Sequence, residues 1–457
     1  MYIASISERY QKEYVEKLFP LLEIPSVYEK SSQFSYGKPI DDALNYILDL
    51  GEKDGFIVKN VNGHAGHIEF GQGEEIIGIL GHLDVVPAGG GWETDPFKPV
   101  LKEDKIYARG VQDDKGPVMA SYMAMKMLKD QGFLPKKKVR LIVGTDEERD
   151  WKGIEHYFKH EKMPEFGFSP DASFPVIHAE KGLIDAYINF PAAHEHTDYI
   201  HSFTSGDRLN MVPDEAKAVL HLSSDVSSKY NNFLKDKAVT GDFFVEGSFI
   251  HLTLNGEAAH ASTPEKGLNA ALYLLEFLLE AGLNKKHQAA VQQLVASFRS
   301  VTGEGIDCAI HDEPSGALTC NLGSVHWVNG KKCEAGVNIR YPVTYESDHV
   351  IGKLQLLASK EGAELIIHDH IQALYIEKEH PNVQTLLKVY NNVTGESADP
   401  LSMGGATYAR SLDSGVAFGA LFKDSPDFAH QKNEHVRMED MKKAMLIYAR
   451  SIYELTK

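Results

Sequence analysis

Cysteine is scarce in this chain of 457 residues: there are three, Cys308, Cys320 and Cys333. An odd, widely spaced set gives neither a disulfide framework nor zinc-finger spacing, so a reducing, cytoplasmic setting is expected. Cationic side chains are outnumbered, 47 Lys and Arg against 65 Asp and Glu, for a net charge of −18. That balance excludes a general nucleic-acid binder, whose affinity comes from cations displacing counterions from phosphates. Missing too is an apolar run long enough for a bilayer. The greasiest stretch, 270–283, is broken by Glu276 and Glu280 and falls short of the roughly 20 residues needed. No basic segment followed by an apolar core opens the chain, so no secretory signal is expected. Without a Gly-x-Ser-x-Gly elbow a serine hydrolase is disfavoured. Gly89-Gly90-Gly91 lacks dinucleotide-binding spacing, and Gly330-Lys331-Lys332 lacks the P-loop's Ser or Thr.

What is present divides into two textures. Helical spacing over 7–22 and again after Pro39 is followed by short apolar runs at 76–80, 139–143 and 166–168, with helix-like stretches such as 117–129 between them. Strands alternating with helices predict an α/β fold, a mostly parallel sheet covered by helices. From 183 to 379 alternating strands such as 249–254 precede a long helix, with Thr263-Pro264-Glu265 as its expected start. This predicts an inserted α+β lid domain, long enough for two small α/β subdomains. The tail, 380–457, returns to helices and apolar runs and would complete the first sheet. A catalytic domain of 1–182 and 380–457, interrupted by 183–379, is therefore expected.

Three apolar strands are read as running into polar clusters, His82-Leu83-Asp84, Gly110-Val111-Gln112-Asp113-Asp114-Lys115-Gly116 and Gly144-Thr145-Asp146-Glu147-Glu148, with Ser169-Pro170-Asp171 as a fourth candidate. Each alone reads blandly, as a hydrogen-bonded pair, a helix cap or a solvated turn. Together they matter, because ligands bind at the carboxyl ends of strands in open α/β sheets. Carboxylates converging there would repel unless cations neutralised them. Imidazole and carboxylate without cysteine suit zinc, or manganese and cobalt. One carboxylate can bridge two such ions. Peptide hydrolysis also needs a carboxylate off the metal, to take the water's proton and pass it to the leaving amine. Adjacent glutamates can supply both roles.

The run His82-Leu-Asp84-Val-Val-Pro87, then Trp92 and Asp95-Pro96-Phe97, then Tyr107-Ala-Arg109-Gly110-Val-Gln-Asp113-Asp114-Lys115-Gly116 and Glu147-Glu148, resembles the glutamate-carboxypeptidase and aminoacylase family of di-metal amidohydrolases. The likeness continues through Asn210-Met-Val-Pro213, Ala259-His260-Ala261-Ser262 and His430, and within the family it is to the dipeptidase V branch, the carnosinase-like Xaa-His dipeptidases. The resemblance implies that Asp113 bridges two zinc ions, with manganese or cobalt as alternatives. It gives one ion His82 and Asp171, and the other Glu148 and His430. Asp84 would orient the His82 ring, Glu147 would be the general base and acid, and the Asp113-Asp114 peptide would be cis. His260 would stabilise the oxyanion, while Asn210, Arg340, Gly404 and Gly405 would contact substrate. Arg340 is also open to the plainer reading of a surface ion pair. Tyr408 departs from the acid that many deacylases and carboxypeptidases of the family carry, which favours the dipeptidase branch. The expected function is hydrolysis of unblocked dipeptides by a monomer that supplies its own His260. The alternatives are an N-acyl-amino-acid deacylase or carboxypeptidase on the same centre, or a metal-dependent peptide-binding protein without catalysis.

Overall fold

The computed structural model describes residues 5–191, 194–222, 225–331 and 333–457. The chain forms two compact units. The first comprises Met1–Ala179, Leu374–Ser402 and Ala406–Lys457, and the second Glu180–Ala373 with Met403–Gly405. The expected boundary at 182/183 thus falls three residues into the second unit and that at 379/380 six residues into the first, and a three-residue loop joins the second.

In the first unit the strands Lys138–Gly144, Ile76–His82, Phe166–Ser169 and Gly415–Ala417 pair side by side and parallel. Two strands beyond the expected set, Ile57–Val61 and Ala65–Phe70, extend this sheet antiparallel at one edge, and Ile177–Glu180 runs antiparallel beyond Gly415–Ala417. Alternate residues of one strand serve opposite layers, as a period of two requires. Ile77, Ile79, Val139, Leu141 and Val143 enter the large core with the helices Glu8–Leu22, Lys38–Lys53, Lys115–Asp130, Pro381–Thr394 and Met438–Thr456. Leu80 and Ile142 face the other way and pack with Ile154 and Tyr157 of the helix Lys152–His160. A sheet covered on both faces needs continuous apolar strands, and these have them.

The second unit is antiparallel throughout its main sheet, in the order Thr240–Glu246, Phe249–Asn255, Glu215–His221, Tyr199–Ser205, Thr319–Val328, Cys333–Tyr341, Gly182–Phe190 and Glu364–Ile371. One continuous sheet and one core run through it, in place of two separate subdomains. The expected helix start at Thr263 is corrected: only a short 3₁₀ turn, Pro264–Lys266, forms there, and Thr263 makes no capping bond. Main-chain pairing of Glu257 with Leu268 draws the chain out again. The helix Ala270–Glu280 begins instead after Asn269, whose side chain accepts the Leu272 N–H at 3.2 Å.

Candidate metal centre

Strand register gathers the polar clusters of the first unit. His82 ends its strand opposite Gly144, so Glu147 and Glu148 follow one loop away. Ile79 pairs with Phe168, which puts Asp171 just beyond the neighbouring strand. Asp113 immediately precedes Asp114, the residue before the helix Lys115–Asp130, and the peptide between the two aspartates is cis.

Two donor triads result. His82, Asp113 and Asp171 offer ligand atoms within 4.8 Å of one another, and so do Asp113, Glu148 and His430. Asp113 belongs to both and divides its oxygens between them. Oδ1 stands 2.9 Å from His82 Nε2 and Oδ2 3.0 Å from His430 Nε2. His430 Nε2 is also 2.9 Å from Glu148 Oε1, and Asp171 Oδ2 is 3.8 Å from His82 Nε2. Nitrogen and oxygen donors in two sets of three, joined by one carboxylate, would suit a pair of divalent metal ions.

The charges of the protein alone are ill-matched. Burial pushes the Glu147 carboxyl well above its ordinary range, and the Asp171, Glu148 and Asp113 charges add to this against His82. Burial, Asp113 and Asp114 likewise raise Asp171. At Asp113 burial is outweighed by hydrogen bonds from His430 and His82, which hold the group below the usual carboxylate range. The bonds that His430 donates to Asp113 and Glu148 in turn lift its ring to about 11. Cations held by the two triads would offset this crowding of carboxylates.

Glu147 lies beside the triads and belongs to neither. Its placement comes from Asp84, whose carboxylate accepts the main-chain N–H of Glu147 at 3.2 Å and of Glu148 at 3.1 Å. The short contact to His82 Nδ1, 2.9 Å, is therefore made by the Asp84 carbonyl, while the carboxylate stands off at 3.5 Å. Asp84 thus orients the imidazole mainly through its backbone. Tyr408 packs edge-on to His82 and donates to Asp146 at 3.3 Å; its ring occupies the space a side chain at Gly144 would need.

Two residues escaped the sequence reading. The buried Glu434 carboxylate accepts the N–H groups of Gly110 (3.1 Å), Gln112 (2.8 Å) and Asp113 (3.3 Å) as well as Arg109 Nη1 at 2.6 Å. Gln112 donates to Asp427 at 2.7 Å and accepts the Phe428 N–H at 3.0 Å, tying the His430 loop to the loop of Asp113. This anchoring supports His430 at a φ of 63°, uncommon for a residue with a Cβ. Neither role had a local signal, because the partners come from opposite ends of the chain.

The remaining expected site residues, His260, Asn210, Arg340, Gly404 and Gly405, lie in the second unit. Arg340 is no surface ion pair: it is 4% exposed, and it donates from Nε to Asn338 at 2.9 Å and from Nη1 to the Gly404 carbonyl at 2.8 Å. Asn338 donates in turn to Asp185 at 2.5 Å. The Asn210 carbonyl accepts the Ala261 N–H at 2.9 Å beside the exposed His260.

Fold and donor set together define an α/β catalytic unit with paired metal-capable triads. Residues 78–454 match the model of peptidase family M20/M25/M40, and the chain belongs to that family. It is 44% identical over 428 residues, 92% of each chain, to a Bacillus subtilis protein named "Putative dipeptidase YtjP". It is 40% identical over 457 residues to a Staphylococcus epidermidis protein named "Putative dipeptidase", covering 98% of this chain and 97% of that one. In fold it resembles the aminoacylhistidine dipeptidase of Vibrio alginolyticus, with a TM-score of 0.59 and 14% identity over 96% of each chain.

Proposed function

We propose that this peptidase hydrolyses the peptide bond of unblocked dipeptides, aminoacyl-histidine or a broader range, at a centre of two zinc, manganese or cobalt ions. The observation that carries the reading is Asp113 shared between two donor triads, with Glu147 beside them and outside both. The dipeptidase names of relatives at 40 and 44% identity support the choice of substrate. His82, Asp113 and Asp171 would hold one ion, and Asp113, Glu148 and His430 the other. Bound there, the ions would acidify a water and polarise the scissile carbonyl. Glu147, beside the triads and outside both, would take a proton from the attacking water and return it to the departing amine. Asp84 keeps Glu147 and Glu148 aimed by holding their main chain. His260 donates to the oxyanion, Arg340 reads the terminal carboxylate, and Asn210, Gly404 and Gly405 shape the substrate's bed.

No described helix is long and apolar enough to cross a membrane, and the three cysteines are buried and unbridged. We propose a cytoplasmic setting, in keeping with the expectation from cysteine usage, and a monomer, whose long inserted unit would supply its own His260.

The test is a hydrolysis panel on chelator-stripped protein reconstituted with zinc, manganese or cobalt. Free dipeptides should be cleaved far faster than N-acyl amino acids or longer peptides. A preference for N-acyl amino acids would move the protein to the deacylases, and dipeptide binding without turnover under every metal would remove catalysis altogether.

A further inference from the structure

We propose that Ser262 is a positioning residue which holds the His260 imidazole as its Nε2–H tautomer, so that the ring presents a donor and never a lone pair to the carbonyl it serves. The inference rests on His260 acting as the oxyanion donor. It adds a residue that sets the state of that donor.

The geometry leaves one assignment. The main-chain N–H of Ser262 points at His260 Nδ1 from 3.2 Å. A peptide N–H can only donate, so Nδ1 must accept and carries no proton. The Ser262 hydroxyl lies 2.6 Å from the same nitrogen, and with Nδ1 an acceptor this oxygen is the donor as well. A neutral ring then has its single proton on Nε2. Turning the ring over would forfeit both bonds. Protonation of the ring is itself disfavoured, first by partial desolvation and then by the Arg340 charge.

The main chain around the pair is fixed independently. Met211 and His260 pair as an antiparallel bridge, Ala261 donates to Asn210 at 2.9 Å, and Thr263 donates to the His260 carbonyl at 2.9 Å. The position of Ser262 also explains a glycine. A Cβ on residue 404 would stand 2.7 Å from the Ser262 Cβ, closer than carbon atoms approach, so a bare Cα is required there. The same Gly404 offers its carbonyl to Arg340. One glycine therefore anchors the carboxylate reader and leaves room for the residue that sets the histidine.

An oxyanion donor is useful only if its proton is in place before charge develops. With the Nδ1–H tautomer, the Nε2 lone pair would face the carbonyl oxygen and repel it. Removing the Ser262 hydroxyl leaves the weaker main-chain donor alone, so part of the population should carry the wrong tautomer.

The experiment uses zinc-loaded full-length protein with ¹⁵N-labelled histidine, His260 being assigned by the loss of its signals in His260→Gln. Wild type should show His260 with a protonated Nε2 and an unprotonated, hydrogen-bonded Nδ1. Ser262→Ala should draw the two nitrogen shifts together and lower kcat on a free dipeptide about tenfold, with KM within twofold and metal content unchanged. That loss is smaller than the roughly 10²- to 10³-fold fall expected of His260→Ala. Ser262→Thr, which keeps the hydroxyl, should restore both readouts, and it stands with the wild-type spectrum if the alanine variant does not fold. A proton on Nδ1 in wild type overturns the proposal, as does a fall in kcat with an unchanged spectrum, or a changed spectrum with full kcat. Should wild type cleave no dipeptide at all, the dipeptidase reading falls, while the spectrum still decides the tautomer.

Discussion

Arg109 and Glu434, 325 residues apart in the chain, meet at 2.6 Å in a region closed to solvent, and the same carboxylate holds the main chain on which Asp113 is displayed. Breaking such a buried pair from one side strands a charge, which typically costs about 3–5 kcal/mol. Glu434→Gln should therefore lower unfolding stability by that order. It should also weaken metal retention about 10- to 100-fold, as removal of groups supporting a ligand does. Competition against a chelator measures the second effect; an unchanged curve would show that residues 110–113 hold their shape unaided.

Glu147 and Asp113 should separate turnover from metal loading. Glu147→Gln removes the proposed proton acceptor, which belongs to neither triad, so both ions should stay while turnover drops by about 10²-fold or more. Asp113→Ala deletes the shared carboxylate and should release metal. Metal analysis beside dipeptide assays distinguishes the two. Activity of Glu147→Gln within threefold of wild type would take Glu147 out of the mechanism.

Arg340→Lys replaces a planar fork by a point charge. If Arg340 reads the substrate's carboxylate, KM for a free dipeptide should rise while a C-terminally amidated one is little affected. Equal losses on both would assign Arg340 to the Asn338 and Gly404 network alone.

His67 makes the fold acid-sensitive. Burial first, and then the Arg140 charge, lower this ring to about 4, and it shares a 2.8 Å hydrogen bond with Tyr157. Between pH 6.5 and 4 the unfolded chain takes up a proton that the folded chain refuses, so stability falls as pH falls. Over 2.5 units this amounts to about 3 kcal/mol. Urea unfolding of wild type and His67→Gln at pH 7 and pH 4.5 should show the difference shrinking from the wild-type side as the solution is acidified. Parallel pH profiles would mean the ring takes up its proton over the same pH range in the folded and unfolded chains.

A self-sufficient monomer should gain nothing from mixing. Glu147→Gln and His260→Ala chains, combined under conditions that permit exchange, should stay inactive together. Recovered hydrolysis with a dimeric mass by light scattering would show a site shared between subunits.

Much of the centre was legible because each candidate ligand before residue 180 follows directly from an apolar run or opens an apolar helix. The strands Ile76–His82 and Lys138–Gly144 are buried along nearly their whole length, and their pattern announces that. The strand Ala65–Phe70 was not legible. It is wholly buried, yet His67 and Glu69 interrupt its pattern, and their presence in the interior is explained by Tyr157, 2.8 Å from His67, and Arg140, 2.7 Å from Glu69. His430 followed from resemblance and not from pattern, since its loop has no periodicity. Glu434 and Gln112 were hidden for the same reason that makes them useful: their partners are brought close only by the finished fold. The misplaced helix start at Thr263 shows a local capping signal overruled by main-chain pairing a few residues away.

The order of the ligands along the chain has a consequence for biosynthesis. Five of the six side chains about the centre, His82, Asp113, Glu147, Glu148 and Asp171, are made early, and His430 only 259 residues after Asp171. At about 5–20 residues per second a ribosome needs roughly 13–50 s to cross that interval. Throughout it the nascent chain has Asp113 without its second imidazole and Arg109 without its counter-charge. If His430 is the ligand proposed, the second triad can be completed only once its loop has been made, just ahead of the last helix, Met438–Thr456.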